Sequence, residues 1–276
     1  MPATADELVA LLDLETIDLN LFRGQQPNTT MQRVFGGQVA AQALVAATRT
    51  VPDDMAVHSL HSYFMRPGDT SVPIVYDVER VRDGRSFTTR RALARQHGRP
   101  IYAMTASYQR VEEGFDHQDP MPEVPSPAES TDIAAALSKP GSEHRQEWLR
   151  EWAALELRHA GNPTPGARSR YWVKTAQELP DQRLVHEAVL TYLSDMTLIG
   201  VALVPYGRTP SSPDVQVASL DHTIWFHRPF RADEWLLYDQ SSPSASGARG
   251  LALGRLFTED GRLVATVAQE GLIRPR

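Results

Sequence analysis

Between residues 73 and 110 apolar and polar positions alternate through three runs, PIVYDVERVRDG, SFTTRRALARQ and PIYAMTASYQ, all rich in β-branched and aromatic residues. A period of two predicts strands with one buried face, and the Asp83-Gly84 and His97-Gly98 pairs between the runs predict tight hairpins. Upstream the period changes. VFGGQVAAQALVAATRT, residues 34 to 50, carries apolar residues at helical spacing, is rich in Ala, Gln and Leu, and lacks proline, which predicts a largely buried helix. The second half repeats the order: a helix near 185 to 200, then HTIWFHRP, EWLLYDQSSPSA, RGLALGRLFTED and RLVATVAQEG. A helix and an antiparallel meander can both bury their apolar surfaces if the sheet curls around the helix.

The two halves share a register as well as an order. Arg66-Pro67 and Tyr76-Asp77 recur as Arg228-Pro229 and Tyr238-Asp239, 162 positions on, and His97-Gly98-Arg99 matches Asp260-Gly261-Arg262 at 163. VFGGQVAAQAL lies on VHEAVLTYLSD at 151, and the 11 residues gained before the next strand fall in the loop-like PYGRTPSSPDV. A duplication follows. The expected division is a first unit over 1–112, a linker over 113–148 rich in Pro, Glu and Ser, and a second unit over 149–276. Residues 142 to 154, SEHRQEWLREWAA, predict a short amphipathic helix. Neither it nor the linker offers chemistry. Arg66 and Arg228, repeated in both copies, read as architecture.

Composition excludes several classes. The 276 residues contain no cysteine, so disulfides, thiolate metal sites and sulfur nucleophiles are absent. The opening MPATADELVALLDLE is too acidic and polar for a secretory signal, and no later run is read as reaching the roughly 18 apolar residues of a membrane helix, so a soluble cytoplasmic protein without a membrane partner is expected. A net charge of −6 with no basic tail argues against nucleic acid. Of 28 basic residues only Lys139 and Lys174 are lysines, a bias that a genome rich in G and C also gives; the alternative is local, since Arg82, Arg85, Arg90, Arg91, Arg95 and Arg99 crowd one stretch, a cluster able to hold a phosphorylated ligand. No G-x-S-x-G elbow, P-loop or dinucleotide fingerprint occurs. His58 and His61 stand an odd number apart on a predicted strand, as do His222 and His227, so each pair is expected on opposite faces. Hydrogen bonding rather than metal ligation is the expected role.

RGQ at 23–25, RVFGGQVAAQAL at 33–44, VHSLHSYFMRPGD at 57–69, DHTIWFHRPF at 221–230 and QEG at 269–271 together resemble the acyl-CoA thioesterase II family over nearly the whole chain. The resemblance implies an α+β double hot-dog: two tandem units, each an antiparallel sheet wrapped around a central helix, with the sheets joined as a pseudo-dimer. It also implies hydrolysis of medium- to long-chain fatty acyl-CoA to free acid and CoA, no cofactor or metal, and assembly into a homodimer or tetramer. The family's catalytic trio falls on Asp195 in YLSDM, Ser219 in ASLDH and Gln269 in AQEG, with serine where threonine is frequent.

The duplication supplies a separate check. In the registers above Asp195 pairs with Leu44, Ser219 with Val57 and Gln269 with Ala106, polar in the second copy and apolar in the first. Chemistry is therefore expected in the second copy, although a slip of one residue along a strand would reverse the facing. On the substrate side Gly36, Gly37, Gln38 and His58 are candidates. Backbone N–H groups of Gly37 and Gln38 at a helix start could polarise a thioester carbonyl, with close helix packing as the alternative reason for the glycines. Asp221 is an ionisable competitor for Asp195. The rival functions are a hot-dog enoyl-CoA hydratase using an Asp and His pair, and a non-catalytic acyl-CoA binding protein.

Overall fold

The computed structural model describes residues 1–136, 144–161 and 166–276. Its first half contributes β1 (Glu15–Asp18), β2 (Leu21–Gly24), β3 (Met55–Phe64), β4 (Ile74–Asp83), β5 (Phe87–Gln96) and β6 (Arg99–Arg110). The second contributes β7 (Thr131–Asp132), β8 (Leu155–His159), β9 (Arg168–Thr175), β10 (Val215–Ser219), β11 (Asp221–Phe226), β12 (Leu236–Ser246), β13 (Arg249–Thr258) and β14 (Leu263–Pro275). The helices are α1 (Ala5–Leu12), α2 (Gly36–Thr48), α3 (Ile133–Ala136), α4 (His144–Trp152) and α5 (Arg183–Ser194), with a 3-10 segment over Leu198–Tyr206. Of the helix expected over 142–154, residues 142 and 143 lie outside the described residues, as do 137–143 of the expected linker.

The strands form one antiparallel sheet in the order β1-β2-β4-β5-β6-β3-β11-β14-β13-β12-β9-β8-β7, with β10 added on β14. Each half wraps its helix: α2 is buried from Gly37 to Ala47 and α5 from His186 to Ser194. The expected double hot-dog is the observed fold.

The joint between halves is the β3–β11 pair. There His61 lies opposite Thr223, Tyr63 opposite Asp221 and Ser59 opposite Trp225. Moving every residue by 162 positions exchanges the last two pairs and returns the first to itself, so the sequence register is the structure's own pseudo-twofold. The register of 163 holds as well, since His61 pairs with Thr105 and Thr223 with Ala268. The repeated Arg-Pro pairs are architectural: Arg66 Nη1 donates to Pro100 O at 2.7 Å and Arg228 Nη1 to Leu263 O at 2.9 Å, twin bonds at the two ends of the joint.

Two expectations change. The helix expected to reach residue 200 stops at Ser194, whose carbonyl accepts from the Tyr238 hydroxyl; after a turn the chain resumes as the 3-10 segment, closed by Gly207 in the left-handed region at φ 62°. Arg183–Tyr206 is in fact long and apolar enough to cross a bilayer, but it lies mostly buried as the core of the second unit. Residues 118–127, within the span read from sequence as a linker, form a strap. Gln118 bonds Gly261 O and Leu263 N–H, Asp119 pairs with Arg255, and the Pro125 and Pro127 carbonyls accept from Trp172 and Arg158, so backbone and side chains of the second half hold it down.

Candidate active site

Asp195 is the C-cap of α5, Ser219 the last residue of β10, and Gln269 lies within β14. A bulge aims Ser219. Ser219 pairs with Gly271, Leu220 N–H donates to Glu270 O, and β11 restarts at Asp221, so one residue is squeezed out of the ladder and the strand re-aims its side chains. The first copy has its bulge at the matching place, His58, between Val57 and Ser59.

The three side chains meet. Gln269 Nε2 donates to Asp195 Oδ1 at 2.5 Å and lies 3.2 Å from Ser219 Oγ, which itself reaches Asp195 Oδ1 at 3.4 Å. Gln269 and Asp195 are buried and Ser219 is half-buried. The other carboxylate oxygen, Oδ2, faces the first unit: a Cβ built on Gly36 would lie 2.6 Å from it and 3.0 Å from the Phe64 ring. Glycine is needed here so that α2 can approach the carboxylate. Two braces hold that approach. Phe35 stacks edge-on against Trp152 and Tyr192, both at 5.0 Å, and Glu151 accepts from Thr29 Oγ1, Thr30 N and Thr30 Oγ1 at 2.6 to 3.0 Å. So α4, read from sequence as chemically silent, fixes the chain leading into α2.

Residues 142–272 match the family profile described as acyl-CoA thioesterase, and residues 25–109 that of the acyl-CoA thioesterase N-terminal domain. Acyl-CoA thioesterase 2 of Haemophilus influenzae is 41% identical over 98% of this chain and 97% of its own length. Human acyl-coenzyme A thioesterase 8 is 41% identical over 97% of this chain and 88% of its own. The crystal structure of an acyl-CoA thioesterase II, TesB2, from Mycobacterium marinum superposes with a TM-score of 0.83 at 46% identity, covering 96% and 97% of the two chains.

The chain belongs to the acyl-CoA thioesterase family.

In this thioesterase the other sequence candidates separate. Gly36 adjoins the trio. Gly37 is a packing glycine, since a Cβ there would lie 2.2 Å from Tyr192 O. Gln38 donates its backbone N–H to Phe35 O and its side chain to Gln25 O and Gln26 Oε1, so its N–H is already committed. Asp221 turns away and accepts from Glu270 N–H across the bulge. His58 is not with the trio but bonds Ser107 Oγ at 2.8 Å. The expectation that His58 and His61 face oppositely is overturned. The bulge at His58 adds one residue to the count, so His58 bonds Ser107 while His61 sits opposite Thr105, and these two partners share a face of β6. Among the described residues no cluster of three or more metal-ligating side chains occurs.

His222 has the hydrogen-bonding role expected of it, but sequence did not place it beside the trio: it is fully buried behind it, with Nδ1 3.2 Å from Gln269 Nε2 and Nε2 2.8 Å from Ser194 Oγ. Its position two residues into β11, beside the bulge, was the available signal. Burial holds its imidazole below the ordinary value, outweighing the Asp195 and Asp221 carboxylates, so it is neutral near pH 7.

The pseudo-twofold carries the site onto a second cleft of about 690 Å³, lined by Val57, His58, Arg183, His186 and Glu187 among others. Val57 stands there for Ser219 and, in the helix register, Glu187 for Gly36, so this cleft lacks the trio and has a side chain where the trio's surroundings keep a glycine. Burial pushes the Glu187 carboxyl up to about 8, with Arg183 at 3.7 Å opposing the shift. The folded chain therefore holds a proton between about pH 4.5 and 8 that the unfolded chain releases, and stability contributed at low pH is lost as pH rises through that window. Glu187→Gln is expected to melt close to wild type at pH 5 and above it at pH 8. An unchanged difference between the two pH values in thermal scans would contradict this.

Proposed function

We propose that this thioesterase hydrolyses medium- to long-chain acyl-CoA to free acid and CoA through one water activated by Asp195, Ser219 and Gln269. The observation that carries the reading is the meeting of a carboxylate, a hydroxyl and a carboxamide, from three distant stretches of chain, beside a glycine of the other unit. Asp195 takes a proton from the water as its oxygen attacks the thioester carbonyl carbon. The tetrahedral intermediate collapses, the C–S bond breaks, and the proton leaves with the CoA thiolate. A thioester is already activated and thiolate leaves readily, so an aimed water suffices. General-base help contributes about 10²- to 10⁴-fold, and positioning and carbonyl polarisation supply the remainder. With the Gln38 N–H committed, the N–H groups of Gly36 and Gly37 at the start of α2 are the carbonyl donors of choice.

The hydratase alternative needs a histidine facing substrate. Both ring nitrogens of His222 are engaged, which favours hydrolysis. A binding protein has no need of a carboxylate held so closely. Exposed Tyr63, Trp225, Leu251 and Leu253 on the sheet support assembly into a homodimer or tetramer.

The test follows thiol release from acyl-CoAs of graded chain length alongside enoyl absorbance. Thiol release that rises with chain length and leaves enoyl absorbance unchanged is expected. Loss of enoyl absorbance without thiol would select the hydratase, and binding without either would select the carrier.

A further inference from the structure

We propose that His222 is a positioning residue of the hydrolysis: it fixes the orientation of the Gln269 carboxamide through a hydrogen-bond chain running from the Thr191 carbonyl to the Asp195 carboxylate.

The chain's polarity is set from both ends. At one end Ser194 Oγ donates its hydrogen to Thr191 O at 2.9 Å, so it accepts from His222 Nε2, 2.8 Å away. The imidazole then carries its proton on Nε2 and presents a bare lone pair at Nδ1. At the other end the Asp195 carboxylate can only accept, so the group 2.5 Å from its Oδ1 must be the Gln269 amino group. The second hydrogen of that group is shared between His222 Nδ1 and Ser219 Oγ, both 3.2 Å away and both accepting. A helix carbonyl and a carboxylate, neither able to change role, demand the same tautomer and the same amide rotamer.

The consequence lies with the remaining atom. Gln269 Oε1 is buried and has no partner among the described residues, while the amino group faces Asp195, Ser219 and His222. An unpaired buried acceptor is costly unless a ligand satisfies it. Taken with the hydrolytic reading, on which this inference rests, Oε1 is the acceptor for the second O–H of the attacking water, with the first directed to Asp195. A flipped amide would set oxygen against Asp195 Oδ1 and turn a donor toward the water. His222 opposes that flip by offering the amino group a second acceptor, and it does so without touching substrate.

Two measurements test the inference. Long-range ¹H–¹⁵N correlation on the wild-type protein reads the His222 tautomer directly; Nε2–H with bare Nδ1 is expected, and Nδ1–H would overturn the proposal whatever the activity. Kinetically, His222→Leu removes the acceptor at similar size and is expected to lower kcat about 10- to 100-fold with KM within about threefold, as misaimed catalytic groups do. His222→Asn, whose carboxamide oxygen can take the place of Nδ1, is expected to recover most of the loss. Wild-type kcat in folded His222→Leu, or an Asn variant as slow as Leu at an unchanged melting temperature, would overturn it. If His222→Leu fails to fold, the tautomer and the Asn variant still decide. Failure of the hydrolytic reading would show separately, as full turnover in an Asp195 variant with the His222 tautomer intact.

Discussion

Asp195→Asn is expected to lower kcat for acyl-CoA hydrolysis by about 10²- to 10⁴-fold while KM stays within a few-fold and the melting temperature within a few degrees. Asparagine keeps the shape of the side chain, and its carboxamide oxygen can still accept from Gln269 Nε2, so the bonds that organise the site survive. What disappears is basicity at the oxygen beside Gly36, where the water's proton is to be received. Because the loss falls on proton transfer rather than on substrate contact, it appears in kcat. Steady-state kinetics on palmitoyl-CoA checks it, with thermal melting as the fold control. Turnover equal to wild type would remove Asp195 from the chemistry and with it the proposed role of the trio.

How much of this was legible beforehand differs by element. The meander after each helix could be read because β4, β5 and β6 alternate, and tight turns at Asp83-Gly84 and His97-Gly98 separate them. The duplication could be read because whole dipeptides survive in one register, and the structure repeats that register down to the bulge. By contrast β1, exposed along its whole length, β2 and the short β8 show no alternation long enough to stand out; they are strands because a neighbour offers them an edge. The histidine faces were misjudged for a related reason. Period-two counting assumes an unbroken ladder, and one extra residue at position 58 reverses it. The identities of Asp195, Ser219 and Gln269 came from family resemblance, and their convergence depends on where α5 ends and where β10 gives way to β11, which tertiary pairing decides.

The arginine cluster shows the same limit at the level of energy. Sequence crowds Arg90 and Arg91 into one potential phosphate site, but the strand sends them to opposite faces, and substitution by methionine is expected to separate them sharply. Arg90 is fully buried. It donates to Thr50 Oγ1 and Thr50 O at 2.8 and 2.9 Å, to the Arg82 and Thr89 carbonyls at 3.0 Å, and to Asp83 Oδ1 at 2.5 Å. It thereby pins the β4–β5 hairpin, through Thr50, to the chain that leaves the end of α2. A hydrophobic replacement can match a buried ion pair when both charged partners go. Here most of the acceptors are backbone carbonyls that no substitution removes, so Arg90→Met strands them at about 1 kcal/mol or more each. A loss of about 3 kcal/mol is expected, which lowers the melting temperature by roughly 6 to 12 °C for a chain of this size. Arg91 is exposed and its nearest acidic partner, Glu79, is 3.9 Å away, so Arg91→Met should stay within about 0.5 kcal/mol of wild type. Urea unfolding of the two variants side by side checks both. Equal midpoints would mean that Arg90 is not the pin between hairpin and helix.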